Sequence, residues 1–176
     1  MLSALDVAKF FVFNAKENQD TSMSNLKLNK MLYFAQGIFL AKYGKRLFEE
    51  NVEAWEYGPV VYDVYERYSV YGNGVVEYTE EGFDYSKFSV EEMDCLMLAD
   101  ARYGCYTPSV LVDITHNQMP WHKNHDGTFR KLIPDADMIV CFRELEEEFD
   151  SKENVVHEVG YRDEEGYLVL PKEYDD

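Results

Sequence analysis

Cysteine, proline, cationic side chains and long apolar runs are all scarce in this 176-residue chain. The three cysteines, Cys95, Cys105 and Cys141, are an odd number with no C-x-x-C pair, so neither a disulfide framework nor a thiolate zinc site is expected. No stretch approaches the roughly 18 apolar residues that cross a bilayer. The opening MLSALDVAKFF carries Asp6 and no leading Lys or Arg, unlike a signal peptide. Reduced thiols, a cytoplasmic location and no membrane partner are the expectations. Signatures of catalysis are missing too. Gly72-Asn73-Gly74 leads into Val75-Val76 and not into the Lys-Ser/Thr of a phosphate loop. Ser109 lacks a G-x-S-x-G elbow, and nothing around Cys105 marks a cysteine hydrolase. No catalytic residue and no cofactor can be named, and the chain is expected not to be an enzyme.

Acid is abundant. Asp and Glu total 34 against 17 Lys and Arg, for a net charge of −17. The surplus is uneven: residues 144–176 hold 13 acidic and 3 basic residues. Phosphate backbones repel such a surface, because nucleic-acid affinity rests largely on Lys and Arg, so a nucleic-acid partner is unlikely. A protein with a basic surface would be attracted and steered.

The hydrophobic pattern describes a mainly α (α+β) chain: about six helices, short β elements and a C-terminal β-hairpin. An S-x-x-D start at Ser3 predicts a helix over about 3–17, buried on more than one side. Ser24 caps a second helix, whose stripe of Leu28, Met31, Leu32, Ala35, Phe39, Leu40 and Tyr43 ends at Gly44. Asn51–Trp55 alternates like a strand. Pro59 suits the first position of a helix over 59–71 with Val61, Val64, Tyr65 and Tyr68 inward. VVEYT after the GNG turn reads as a strand. Ser89 with Glu92 opens a helix ending at Gly104, Thr107-Pro108 opens another toward His116, and Asp135 opens a last one through Phe149. THNQMPWHKNHDGTF between them looks too polar and broken for a regular element. VVHEV and GYLVL flank YRDEEG as a hairpin would. The composition shift divides the chain into a helical domain, 1–149, and an acidic extension, 150–176.

Two clusters invite a functional reading. His116, His122 and His125 fall within ten residues, which raises a metal-dependent hydrolase; but the spacing, with Pro120 inside it and no cysteine near, does not match a helical zinc motif, and no metal is expected. WEYGPVVYDVYERY, residues 55–68, gathers Trp55, Tyr57, Tyr62, Tyr65 and Tyr68 around one Gly-Pro corner. Tyrosine and tryptophan supply large rigid area with a polar tip, as binding hot spots do, and equally serve as half-buried cover of a core.

Three stretches together resemble the Panacea domain family, whose members are SocA-like antitoxins and phage-associated GepA-like proteins. They are LKLNKMLYFAQGIFLAKYGKRLF (26–48), VEAWEYGPVVYDVYERY (52–68) and ITHNQMPWHKN (114–124), in the family's order and spacing. The resemblance implies a mostly helical domain and a prophage-associated antitoxin that neutralises a cognate protein toxin by direct contact. The alternative it implies is an adaptor that delivers the toxin to a bacterial protease. Lys27, Lys30 and Tyr33 share a side of the second helix, offset from its core stripe. If the three stretches converge, they form a polar–aromatic pocket with Tyr57, Pro59, Tyr62, His116 and Trp121, which makes these eight the expected partner-binding residues. Surface exposure is expected first of all for Tyr57, Lys30 and His116.

Overall fold

In the computed structural model the described residues are 1–158 and two short stretches, Tyr161–Arg162 and Leu168–Val169, which pair antiparallel. The turn and acidic tail expected around those stretches lie outside the described residues. Among the described residues seven α-helices carry the fold, with one small sheet packed among them.

Helix α2 (Asn25–Tyr43) is the axis. Ser24 caps it by accepting from the Lys27 N–H, and Gly44 ends it in the left-handed conformation, φ +65°. The sequence predicts an apolar stripe on this helix, yet nearly its whole circumference is buried, Asn25, Lys27, Asn29, Lys30 and Gln36 included. The reason is its central place. Helices α1 (Ala4–Glu17), α3 (Tyr62–Tyr68), α4 (Val90–Tyr103), α5 (Pro108–His116) and α7 (Asp135–Glu158) all pack around it. Both expected capping boxes form, Ser3/Asp6 on α1 and Ser89/Glu92 on α4.

Two close approaches fix the packing. Gly37 lies against the Phe142 ring of α7, where an added Cβ would stand 2.2 Å from a ring carbon. Phe34 stacks on Tyr103 of α4, with ring centroids 3.8 Å apart. Polar groups of α2 bind the loop after it: Gln36 accepts from Leu47 N–H and Phe48 N–H and donates to the Phe48 carbonyl.

The sheet is a hairpin of β1 (Glu53–Trp55) and β2 (Gly58–Val60), turning at Glu56-Tyr57. Pro59 thus sits in a strand, and α3 begins three residues later than expected. Ala54 N–H donates away from β2, to the Lys131 carbonyl, so the Ala54/Pro59 pair exchanges no ladder bonds and a proline is tolerated there. Tyr65, expected to face inward, is 41% exposed, while Val61 and Val64 stay in the core.

Three other expectations differ. Val75 makes one bridge to Ser24, and Val76 N–H reaches the Met23 carbonyl, but no strand follows, because Tyr78 and Phe83 fold over Phe13 of α1. The segment expected to be irregular contains a short helix, α6 (Met119–Asn124), with Pro120 in its first turn. Helix α7 runs on through Glu158, so most of VVHEV is helical where a strand is expected; no Gly or Pro interrupts the chain between Asp135 and Glu158.

Candidate functional site

The Glu53–Val60 hairpin rests on α2 through polar contacts. Lys30 Nζ donates to the Pro59 carbonyl at 2.9 Å, and Val61 N–H donates to Asn29 Oδ1 at 2.9 Å. Asn29 in turn donates to Asn25, whose amide donates to the Tyr65 carbonyl. Gly58 adopts φ +97°, and a Cβ there would stand 2.6 Å from Lys30 Cε and 2.7 Å from Thr115 Oγ1. From the side, Trp121 Nε1 donates to the Trp55 carbonyl at 2.8 Å. The three stretches singled out in the sequence do converge: α2, the hairpin and the α5–α6 corner meet at Gly58.

Convergence buries most of the eight expected residues. Tyr57, at the hairpin tip, is 63% exposed. Tyr62, His116 and Trp121 are half-buried, and Pro59 is buried. Lys27, Lys30 and Tyr33 are buried as well, which corrects the expectation that Lys30 faces solvent. Each sinks because other elements wrap α2. Lys27 Nζ donates to Asp20 at 2.8 Å, Ser22 at 2.8 Å and the Gly104 carbonyl at 2.7 Å. The Tyr33 hydroxyl donates to Gln118 Oε1 at 2.8 Å, and burial pushes its ionisation well above the ordinary tyrosine range. Lys30 has the Pro59 carbonyl and no carboxylate, and burial lowers its pKa to about 7.

The imidazoles are arranged as a stack. His116 and His125 lie 3.8 Å and 4.5 Å from the Trp121 ring centroid, each tilted by 14°. Two rings cannot share one indole face at those distances, so Trp121 separates them, and His122 is exposed elsewhere. Among the described residues no cluster of His, Cys, Asp or Glu is placed to hold a metal ion. Burial lowers the His116 pKa; the Glu56 carbonyl opposes this, while Lys30 and His125 add to it. Its Nε2 is buried without a hydrogen-bond partner.

Beside the hairpin lies a groove of about 950 Å³. Trp55, Tyr57, Val60 and Tyr65 line it together with Asn25, Leu26, the Gly72–Val75 turn and Pro108. Among the described residues, Glu56 is the one charged residue lining it. The wall is rigid: Trp55 packs on Tyr65 at 4.9 Å, and its Nε1 donates to Glu53. Glu53, 5% exposed at its side chain, also accepts from Arg130, whose guanidinium lies 3.8 Å over the Tyr62 ring. Arg130 holds φ +55°, a strained conformation for a non-glycine residue.

Sequence reasoning missed Asn25, Asn29, Glu53, Arg130 and the outward Tyr65. Two polar residues one turn apart inside an apolar helix were a signal for the asparagine pair. Nothing in sequence links Glu53 to Arg130 across 77 positions.

No described helix is long and apolar enough to cross a membrane. No solved structure matches the chain. The chain is similar to antitoxin SocA of Caulobacter vibrioides (strain NA1000 / CB15N), 47% identical over 53 residues. That alignment covers 30% of this chain and 28% of the relative, so less than a third of either protein is matched. A family described as antitoxin SocA-like, Panacea domain, matches residues 28–122, which runs from the first turn of α2 through the hairpin to α6, and to this family the chain belongs.

Proposed function

We propose that the protein is a non-catalytic antitoxin that neutralises a cognate toxin by direct protein–protein binding, with the hairpin tip and the groove beside it as the contact surface. The observation that carries this reading is the groove's composition. On a chain with net charge −17, a recess walled by Trp55, Tyr57 and Tyr65 and lined by a single carboxylate is an uncharged aromatic patch. Interface centres have that character: enriched in Tyr and Trp, depleted in charge, with a polar rim. The wall is braced by the Glu53–Arg130 pair and by Trp121, so little side-chain entropy remains to be lost on docking. The acidic exterior around it favours a partner with a basic rim by long-range attraction.

The test is co-expression with the neighbouring open reading frame, read as growth rescue and co-purification. The paired substitution Tyr57→Ala and Tyr65→Ala removes two exposed rings, of which the Tyr65 ring packs on Trp55, so a melting curve accompanies the test. It is expected to abolish rescue and cut affinity at least a hundredfold, as loss of two hot-spot side chains does. A folded double variant that rescues like wild type removes this surface from the interface. Rescue that vanishes only in a protease-deficient host indicates delivery for degradation in place of masking.

A further inference from the structure

Lys27 and Lys30 are one turn apart on α2, both lysine, both buried, and they are housed in opposite ways. Lys27 is saturated as an ammonium: three acceptors within 2.8 Å, one of them the Asp20 carboxylate. Lys30 has one acceptor, the Pro59 carbonyl, and Gly58 lies flush against its stem. An ammonium carries three donors, so two would be left bare in a site from which water is shut out. The nearby His116 Nε2 is buried without a partner, so no hydrogen bond from Lys30 reaches it. A neutral amine has one fewer donor and no charge to desolvate, so the single bond it has leaves a smaller penalty.

We infer that Lys30 is the positioning residue of the hairpin and holds it as an uncharged amine, so that seating the hairpin on α2 expels a proton. The inference deepens the proposed function, since it concerns how the partner-facing hairpin is held, but the seating itself belongs to the free protein. The groups facing this corner do not supply a counter-ion. Asp113 on α5, Asp63 and Glu66 on α3 and Glu56 on the turn are exposed, and none forms an ion pair with Lys30. Lys27 and Tyr33 share α2, and His125 is screened by Trp121.

The direction of the pH effect follows. The amine titrates at about 7 when seated and at its ordinary 10.5 when released. The released state gains a proton below 10.5 and the seated state only below 7, so seating strengthens as pH rises from 7 toward 10.5 and is flat below 7. Between pH 7.0 and 8.5 the gain from this one group is about fifteenfold in the equilibrium constant. Burial raises the Cys95 and Cys141 thiols to about 12 and about 11 from 9.0, and these oppose it only once released thiols ionise, near 9. At pH 8.5 the two thiols together offset the amine by less than about twofold, so the amine dominates the window and the net gain is about tenfold.

Urea unfolding of the free protein at pH 7.0 and 8.5 tests this. Wild type is expected to gain about tenfold in its folding constant, and Lys30→Met, which keeps an apolar stem and lacks the amine, to gain nothing over the same interval, whatever its absolute stability. His116→Asn should keep the gain. Lysine ¹³Cε shifts of the wild type provide a reading that needs no variant: one lysine titrates near neutrality and the rest remain charged to pH 9. Wild type and Lys30→Met sharing one pH slope, or every lysine staying charged across that range, overturns the inference. Loss of toxin rescue in the Tyr57/Tyr65 variant bears on neither readout, so the two proposals fail separately.

Discussion

Replacing Gly58 by alanine tests the architecture of the site with a single methyl group. Two costs add. At φ +97° an L side chain meets its own backbone, a penalty of about 1–2 kcal/mol. The new Cβ would also lie 2.6 Å from Lys30 Cε and 2.7 Å from Thr115 Oγ1, about an ångström inside contact distance. Relief must come from the lysine stem, which is enclosed, or from α5, and overpacking of this kind costs about 1–3 kcal/mol. The sum, about 2–5 kcal/mol, corresponds to a fall of roughly 5–15 °C in the melting midpoint for a chain of this size. Circular dichroism melts at pH 8 give the total. A double-mutant cycle with Lys30→Ala separates the parts, because the truncated lysine no longer offers Cε, and a coupling of about 1 kcal/mol or more is expected between the two positions. A Gly58→Ala protein within about 0.5 kcal/mol of wild type, or a cycle with no coupling, would refute the close approach on which the site description depends.

Gly37→Ala should destabilise by about 1–3 kcal/mol although alanine is the better helix former, because the Cβ enters the Phe142 ring; a raised melting midpoint would contradict the α2–α7 packing. Arg130→Ala leaves the buried Glu53 carboxylate with only the Trp55 indole as donor and should cost about 1–3 kcal/mol, discounted for the partial exposure of the arginine, in urea titrations. Trp121→Phe keeps a ring between His116 and His125 and deletes the bond to the Trp55 carbonyl, for a loss of about 1–2 kcal/mol by the same measurement, and an unchanged midpoint would place that bond outside the stability of the site.

Local signals were legible wherever the physics is local. The capping boxes at Ser3 and Ser89, the Ser24 cap, the Gly44 stop and the Asp135 start are set by side chains within a few residues of the backbone they serve. What failed was depth. An apolar stripe on α2 says which side is buried first; it cannot say that five further helices bury the rest, and so Lys27, Lys30 and Tyr33 looked outward. Pro59 was read as a helix start because a proline suits a first helical turn, whereas the strand pair leaves its missing N–H without consequence. The meeting of the three motif stretches was anticipated; its geometry, with a glycine pinched between a lysine and a threonine, needed coordinates.

On the proposed contact surface, the burial of the motif bears on how a partner would be chosen. Of the eight residues expected to bind, only Tyr57 is exposed, and Lys30, Pro59 and Trp121 instead hold the hairpin that carries it. A sequence pattern built from such residues specifies a bracket: a polar-cored helix, a two-residue turn seated on it, and an indole locking the side. The bracket fixes where an aromatic tip stands and leaves the chemistry around the tip free. Leu26, Val75 and Pro108 line the groove without taking part in the seating contacts, so substitutions there can alter what fits while the hairpin stays in place. Specificity for one partner over another should therefore move with the groove walls and the acidic rim, and loss of binding to all partners should follow from damage to the seat. Swapping groove residues while sparing Asn29, Lys30, Gly58 and Trp121 should change which partner is bound without lowering stability, and a stability loss equal to that of the seat variants would show that wall and bracket are one unit.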